Sequence, residues 1–471
     1  MLKETLRTLL SENYPLLSIM LGFALVSVTV GPFQNFDTQL EYEAASGVIT
    51  WGMPYMKYYG DMINQPPLGF YIEAAFFKIF GLSFNTGVAL ITLFSICCVF
   101  LVYKIGEVLY GKPTALFATA LFAFTPWQIV LSRSFLIDVP CLFFSLLCLL
   151  VGIHAIRKDS EVLFMASSIL FAIALLTKFF AIFVLIPLAL FYIRYRQKKL
   201  NHIFTVTAYF LPALLIFFIW YDVIWGRGLL YGESHTTFTH DDFVNFNPAE
   251  FSPSYFFVGN FLLEAVGLFF LIAAALSLLV YLFRGDLFKK ILPFDLMCLA
   301  TSLAVIGVNT FLGAGLNLSF PYNNAVKYNY QALPFLSLLA ASLTAKCALL
   351  FNSLKSKEKR SVLIFSIAIV GLALLAVALF LNMHYVNYIS TSDHLVFKVD
   401  KTKSAGYSFV NSSPITESFP IALQYAGFAF ALSGLIWAIR HKIAAALKII
   451  LKLLNLTSSQ IGTSGPSTAQ S

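Results

Sequence analysis

Long apolar runs separated by short polar connections dominate this chain of 471 residues. A helix needs about 20 apolar residues to cross the hydrocarbon core of a bilayer. We therefore expect an all-α polytopic membrane protein with a transmembrane domain over residues 1–440, followed by an amphipathic helix on the cytoplasmic face (441–456) and a disordered tail (457–471). The pattern predicts about twelve transmembrane helices, at residues 14–33, 86–104, 113–132, 138–156, 161–177, 179–196, 203–225, 256–283, 292–313, 329–350, 361–382 and 420–440.

The basic residues support this map and give it an orientation. Of the 31 Lys and Arg residues, 22 fall at the ends or in the loops on one side, Lys346 among them, whereas Asp37 and Asp138 fall on the other side. Cytoplasmic loops of membrane proteins carry an excess of Lys and Arg. We therefore expect a multi-pass protein of the cell membrane with both termini in the cytoplasm and an acidic outer face.

Composition excludes several classes of protein and cofactor. The chain is 59% hydrophobic and 11% charged, with a mean hydropathy of +0.81, which rules out an ordinary soluble protein. The net charge of +8 is spread over short loops, so we expect no nucleic-acid partner. The six cysteines lie in apolar runs without disulfide or zinc spacing, and no Gly-rich phosphate loop is present, so we expect no nucleotide or redox cofactor.

Residues 34–85 form a first outer loop that is too long for a simple connector. Glu41 and Glu43 lie off an apolar stripe there, and the apolar stretch Leu68–Phe80 is too short to cross a bilayer. The loop is therefore predicted to contain amphipathic juxtamembrane helices in contact with membrane lipids. The residues of the stripe recur at helical spacing: Leu40, Ala44, Val48 and Trp51.

Two acidic residues near predicted helix ends are candidates for chemistry. Asp37 follows the first predicted span and Asp138 begins the fourth, and both lie on the predicted outer surface. Such a pair can divide the work, one carboxylate acting as base for a hydroxyl and the other positioning the acceptor or a divalent cation. The alternatives are helix capping for Asp138 and simple solvation for Asp37.

Cationic and imidazole side chains near the same surface are further candidates. Arg133, Lys178 and Lys327 lie at span ends, at the depth of a lipid phosphate, and snorkelling to the interface is the alternative. His235 and His240 lie in an acidic outer loop. They could ligate a metal ion or bind the acceptor, and the alternative is a solvated polar loop.

Five segments occur in an order that resembles one enzyme family. Together they resemble the GT-C membrane glycosyltransferases, in particular the branch of the protein O-mannosyltransferases and aminoarabinose transferases. The resemblance implies a GT-C type bundle of transmembrane helices. The segments are Asp37–Tyr42 with Gly52–Tyr55 (DTQLEY and GMPY), Asn64–Tyr71 (NQPPLGFY), Ser132–Pro140 (SRSFLIDVP), Thr177–Lys178, and Lys327–Tyr328 before Leu333–Pro334.

The resemblance also implies a function. It implies that a sugar moves from a polyprenyl (dolichyl-type) phosphate to a protein, lipid or glycan acceptor on the extracytoplasmic face, by an inverting single displacement, and it leaves a divalent metal ion open. It assigns the role of base to Asp37 and that of second carboxylate to Asp138. The substrate-binding residues implied by the same likeness are Glu41, Gln65, Pro66, Tyr71, Arg133, Lys178, Lys327 and Tyr328.

Two other functions stay open. Thr38 stands where the family often has Glu, and Gln65 where relatives carry His or Lys, so a non-catalytic relative that binds polyprenyl lipids is one alternative. A lipid or solute transporter or flippase is the other. It would favour ionisable residues near the bilayer midplane and repeated halves. Glu264 is a candidate for an ionisable residue inside the membrane, and the chain shows no internal repeat.

Overall fold

The computed structural model describes residues 2–29, 32, 36–57, 60–63, 65–196, 201–218, 268–315, 325–353 and 426–438. Within these ranges the regular structure is almost entirely helical, with short 3-10 helices at Phe179–Val184, Gly285–Phe288 and Ala325–Ala332. The strands β1 (Tyr55–Met56) and β2 (Asp61–Met62) pair antiparallel. The α-helices are α1 Leu2–Thr29, α2 Phe36–Trp51, α3 Leu68–Phe80, α4 Phe84–Tyr110, α5 Lys112–Ala123, α6 Pro126–Leu131, α7 Asp138–Lys158, α8 Glu161–Thr177, α9 Leu185–Arg196, α10 Asn201–Phe218, α11 Leu268–Arg284, α12 Leu292–Gly315, α13 Leu333–Ser353 and α14 Ala426–Ala438.

The centre of the bundle is built by α4, α5, α7, α8 and α13. Helix α4 packs against α5 and α7, α7 packs against α8, and α13 packs against α5 and α11. Large apolar side chains such as Leu93 and Ile169 point outward, as expected for helix faces that contact lipid. The prediction of an all-α polytopic membrane fold is therefore confirmed.

The number of transmembrane helices stays a prediction. By length and composition, three stretches among the described residues are long and apolar enough to cross a membrane, Phe84–Tyr110, Asp138–Lys158 and Asn329–Leu350. Shorter apolar helices coincide with most other predicted spans. The span predicted at 361–382, the amphipathic helix at 441–456 and the tail at 457–471 lie outside the described residues.

Three predicted spans are not continuous α-helices. Residues 113–132 form two helices, α5 and α6, whereas the spans at 179–196 and 329–350 each begin with a 3-10 helix. Proline lacks the backbone N–H but fits the first turn of a helix, so a new α-helix starts at such a residue. Thr125 is extended, with ψ 141°, because a proline follows it. The prolines in the first turns of α6, α9 and α13 are Pro126, Pro187 and Pro334.

The predicted first outer loop contains two helices, α2 and α3, and their position at the membrane surface stays a prediction. Ala44 and Val48 of the predicted stripe are buried, but Trp51 is exposed and Glu41, expected off the stripe, is buried. Burial on α2 is therefore not confined to the residues of the stripe. The reason is that α2 packs against α3, the β-ribbon and the start of α7, so its buried surface is wider than one apolar stripe.

A buried polar cluster joins α11, α12 and α13 at one end of the bundle. Asp295 and Lys346 form an ion pair whose side chains are 0% and 1% exposed. Tyr110 and Tyr281 each donate a hydrogen bond to the Asp295 carboxylate, at 2.9 and 2.8 Å, and Lys346 Nζ donates to Ser277 Oγ at 2.6 Å. Lys346, counted at the inner end of the span predicted at 329–350, lies in α13, and its buried side chain contacts α11.

Helix α14 packs against α1 through glycines. A Cβ at Gly427 would lie 2.7 Å from the carbonyl oxygen of Gly22, and a Cβ at Gly434 would lie 2.8 Å from that of Pro15. The two helices thus approach so closely that a side chain at these positions has no space. Small residues permit the same close approach in many membrane helix pairs.

We predict that Gly427→Leu separates α1 from α14. Forcing a side chain into such a contact should lower the free energy of unfolding by roughly 1–3 kcal/mol, measurable as a lower thermal unfolding temperature in detergent. The control is Gly307→Leu in α12, where an added Cβ meets nothing within 4 Å. Equal unfolding temperatures for the two variants would contradict this packing.

Glu73 is a buried acid on α3 that faces α2. Its side chain is 0% exposed, and within the described residues neither carboxylate oxygen has a hydrogen-bond partner. Burial, and to a lesser extent the charge of Glu41, raise the pKa of Glu73 well above its ordinary value. The folded chain therefore favours the protonated form of Glu73.

We predict that Glu73→Gln stabilises the fold increasingly as the pH rises. Between the ordinary pKa of glutamate and its raised value in the fold, the folded state binds more protons than the unfolded state, so the free energy of unfolding falls with rising pH. Glutamine removes this titration. Thermal unfolding from about pH 5 to about pH 8 should show a widening gap between variant and wild type. The exposed Glu161→Gln should show no such gap, and parallel curves for wild type and Glu73→Gln would refute the prediction.

Candidate active site

The segment 132–137, between α6 and α7, lies at the centre of the candidate site. It is not helical, yet nearly all of it is buried, so its polar groups need partners inside the protein. Ser132 Oγ donates a hydrogen bond to the Ile129 carbonyl at 2.6 Å and lies 3.0 Å from Ser27 Oγ of α1. Ser134 Oγ donates to a carbonyl of the preceding turn at 2.8 Å. These contacts fix the segment against α1 and α6.

Phe135 anchors the segment in an aromatic cluster. The centroid of its ring lies 5.8 Å from that of Tyr42 on α2, 5.7 Å from Phe77 on α3 and 6.0 Å from Phe84 on α4. Gly87 of α4 leaves room for the ring, since a Cβ there would overlap it. One side chain thus holds both juxtamembrane helices and α4 against the segment.

Glu41 joins α2 to the start of α7. Its Oε2 accepts a hydrogen bond of 2.7 Å from the backbone N–H of Ile137, which is the N-cap residue of α7, and Glu41 is 1% exposed. A helix N-terminus has unpaired N–H groups and a partial positive charge, which favour a carboxylate. That Glu41 contacts substrate stays a prediction.

Asp37 lies in the first turn of α2, four residues before Glu41. Residues four apart on a helix share one face, so Asp37 lies on the side of α2 that contacts Ile137. Its side chain is half-buried, whereas Glu41 is almost fully buried. The two predicted catalytic carboxylates, Asp37 and Asp138, therefore lie at the same end of the bundle.

Asp138 is the first residue of α7 and forms a buried ion pair with Lys178, the C-cap residue of α8. Asp138 Oδ2 and Lys178 Nζ are 2.7 Å apart, and the side chains are 5% and 2% exposed. The residues before them, Ile137 and Thr177, both contact α3: a Cβ at Gly69 would lie 2.8 Å from Ile137 Cγ2 and 3.3 Å from Thr177 Cγ2. Three of the five predicted segments therefore meet at this ion pair.

Arg133 supplies a half-buried cation within the central segment. Its Nη1 donates a hydrogen bond of 3.3 Å to Thr92 Oγ1 of α4, and Thr92 Oγ1 donates to the Ser132 carbonyl at 2.8 Å. Burial lowers the pKa of Arg133, but a guanidinium stays protonated in proteins. The guanidinium of Arg133 therefore provides a positive charge that is only partly shielded from a bound substrate.

The predicted substrate-binding residues of the first outer loop border the same region. Pro66 is buried, and the exposed Tyr71 donates a hydrogen bond of 2.8 Å to the Gly52 carbonyl at the end of α2. Gln65 is half-buried, and its Oε1 has no hydrogen-bond partner within the part of the chain that the structure describes. A shielded carbonyl oxygen of this kind can accept a hydrogen bond from a ligand hydroxyl.

The 3-10 helix Ala325–Ala332 brings the last of the five segments to the site, since it packs against α7 and against the 3-10 helix that follows Lys178. Lys327 and Tyr328 lie on this helix, but their side chains are outside the described residues. Three further residues occur here that the sequence analysis missed. Tyr330 donates a hydrogen bond to Gln128 of α6, and Gln331 Nε2 donates one of 3.4 Å to Cys141 Sγ of α7.

The available signal for these residues was a polar side chain within or beside an apolar run. Gln128 interrupts the predicted span 113–132, where a buried amide needs a partner. Tyr330 and Gln331 follow the predicted contact residues Lys327 and Tyr328 after one intervening residue. The sequence pattern could indicate these three residues as candidates, but it could not identify the groups with which they form hydrogen bonds.

The predicted metal ligands His235 and His240 lie outside the described residues. Among the residues that the structure does describe, no group of three or more His, Cys, Asp or Glu side chains could hold a metal ion. A bound divalent metal ion therefore stays a prediction, and the described residues alone do not provide its ligands.

The arrangement combines a half-buried carboxylate with a half-buried guanidinium. A carboxylate can take a proton from a hydroxyl, and a guanidinium can stabilise negative charge on a leaving group. The charge of Asp138 is compensated by Lys178, and its side chain is nearly inaccessible. Asp37 is therefore better placed than Asp138 to meet a substrate.

Known proteins are similar to this chain in sequence and in fold. Residues 64–225 match the model of a family described as dolichyl-phosphate-mannose-protein mannosyltransferase. Apo ArnT from Cupriavidus metallidurans is similar with a TM-score of 0.50 and 15% identity, over 89% of this chain and 76% of that one. ArnT from the same organism bound to undecaprenyl phosphate gives a TM-score of 0.48 and 13% identity, over 93% and 78%.

The archaeal oligosaccharyltransferase AglB from Archaeoglobus fulgidus, in complex with an inhibitory peptide and a dolichol-phosphate, is similar with a TM-score of 0.46 and 13% identity, over 89% of this chain and 63% of that one. No curated protein matches the chain. At 15% identity the likeness to apo ArnT concerns the fold, and the family model adds a match in sequence over residues 64–225. The chain thus shares its fold with apo ArnT, and the family resemblance found in its sequence motifs is confirmed by the match over residues 64–225.

Proposed function

We propose that this chain is an integral membrane glycosyltransferase that moves a sugar from a polyprenyl phosphate to an acceptor hydroxyl of a protein, lipid or glycan. The observation that carries the proposal is that the predicted motif segments converge on the central segment 132–137 at one end of the bundle. The family name matched by residues 64–225 supports a polyprenyl-phosphate sugar as the donor. The distribution of basic residues supports a site on the extracytoplasmic face.

The proposed reaction is a single displacement at the anomeric carbon. The acceptor oxygen forms the new bond as Asp37 takes its proton, and the bond from the anomeric carbon to the phosphate oxygen breaks on the opposite face, so the configuration inverts. Polyprenyl phosphate leaves with the bonding electrons. Arg133 stabilises the negative charge that develops on this leaving group.

The other site residues would bind or position the substrates. We assign Asp138 to holding Lys178 rather than to proton transfer, because the pair is buried and close. Gln65 Oε1 would accept a hydrogen bond from a sugar hydroxyl. Lys327 and Tyr328 are proposed as donor contacts, and His235 and His240 as metal ligands, on the sequence alone. No step of the reaction above depends on a metal ion.

Loss of the base should abolish transfer without unfolding the chain. We expect Asp37→Asn to lower kcat/KM by roughly 10²–10⁴-fold, measured with purified protein in nanodiscs, radiolabelled polyprenyl-phosphate sugars and a panel of acceptors. The control is Asp286→Asn, since Asp286 is an exposed surface residue with a 93% exposed side chain. Normal transfer by Asp37→Asn would exclude it as the base, and no label transfer by the wild type would favour a transporter or a non-catalytic lipid-binding protein.

The ion pair should behave as one unit in folding. We expect Lys178→Met to cost about 3–5 kcal/mol of unfolding free energy, because it leaves the Asp138 charge buried without compensation. Combining it with Asp138→Asn should recover part of this loss. A double-mutant cycle in thermal or denaturant unfolding measures the coupling, and additive effects of the two changes would mean that the pair is not coupled.

A further inference from the structure

We propose that Glu41 is a positioning residue for Asp37, an inference that rests on the proposed function. Its buried carboxylate holds α2 against the start of α7, and thereby sets where the base stands relative to Arg133 and the bound sugar. Glu41 touches neither substrate in this role. It acts through the backbone N–H of Ile137 and through the helix that it shares with Asp37.

The contact has the properties of a fixed anchor. The bond from Ile137 N–H to Glu41 Oε2 is 2.7 Å long, and the carboxylate is almost completely shielded from solvent. A hydrogen bond to an ionised acceptor is stronger than one between neutral groups, and the positive end of the α7 dipole adds to it. In this low-dielectric surrounding, loss of the acceptor would leave a buried N–H without a partner.

Two neighbouring residues of α2 contact the central segment 132–137. Glu41 bonds to Ile137, and the next residue, Tyr42, packs its ring edge-on to Phe135. Adjacent residues of a helix point about 100° apart around its axis. Two contacts in different directions therefore fix both the rotation of α2 and its height along the segment. The position of Asp37, one turn earlier on the Glu41 face, follows from them.

Glu73 completes this junction. It lies on α3, close enough to Glu41 for the two charges to interact. Two ionised carboxylates cannot share a buried site cheaply, so a protonated Glu73 avoids charge repulsion with Glu41 at this junction.

The test compares Glu41→Ala, Glu41→Gln and the exposed control Glu161→Gln in the same transfer assay, with kcat normalised to the folded, monodisperse fraction. Glu41→Ala should lower kcat by about 10²-fold with the donor KM changed by less than about twofold, since a displaced reacting group affects the chemical step. Glu41→Gln, which keeps an acceptor oxygen in the same place but loses the charge, should recover about tenfold of that loss and stay about tenfold below the wild type. Glu161→Gln should match the wild type.

Each other outcome separates the alternatives. A normal kcat for folded Glu41→Ala overturns the positioning role, because a purely structural residue changes only the folded fraction. A loss confined to KM also overturns it and returns Glu41 to direct substrate contact. If Glu41→Ala does not fold, Glu41→Gln carries the test: a reduced kcat at unchanged KM supports the role, and a wild-type kcat overturns it. Absence of transfer by the wild type itself overturns the proposed function and this inference together.

Discussion

The candidate site depends on one constraint, that a non-helical stretch of backbone is buried inside a helical membrane bundle. Within an apolar environment, backbone N–H and C=O groups must find partners in the protein. In segment 132–137 some of these partners are carbonyls of the preceding turn, and others come from elements that are distant in sequence. Glu41 accepts from Ile137 N–H, and Thr92 donates to the Ser132 carbonyl. The helices that carry the candidate residues are therefore held together by the same contacts that satisfy the buried backbone groups of the segment.

Buried charge imposes a second constraint at both ends of the bundle. An isolated charge in the interior is very unfavourable, whereas a close pair with further hydrogen bonds is tolerated. Asp138 and Lys178 join the start of α7 to the end of α8, and Asp295 and Lys346 join α12 to α13. The two charges of such a pair lie close enough to compensate each other in one register of the helices only. They therefore specify how the helices meet more than they add net stability.

The acidic residues of the outer loop divide by burial into two groups. Asp37 is half-buried, as is the cation Arg133, so both can meet a substrate at the protein surface. Glu41 and Glu73 are buried, and their environment suits alignment of helices rather than proton exchange with a ligand. Catalytic groups placed on elements that are fixed in this way keep their geometry through the reaction.

The sequence by itself determined the helical membrane fold, the presence of helices within residues 34–85 and the resemblance of its motifs to one family, because the length of an apolar run and the order of short motifs are local properties. It also contained the prolines at which predicted spans are interrupted, although a prediction based on span length alone does not take them into account. Only the tertiary structure decided that Glu41 is buried, that Lys346 is paired and that Gln128 meets Tyr330. The Glu41–Ile137 bond joins residues 96 positions apart. Partners so far apart are selected by the packing of whole helices, since a buried polar group accepts whichever matching group that packing brings within reach.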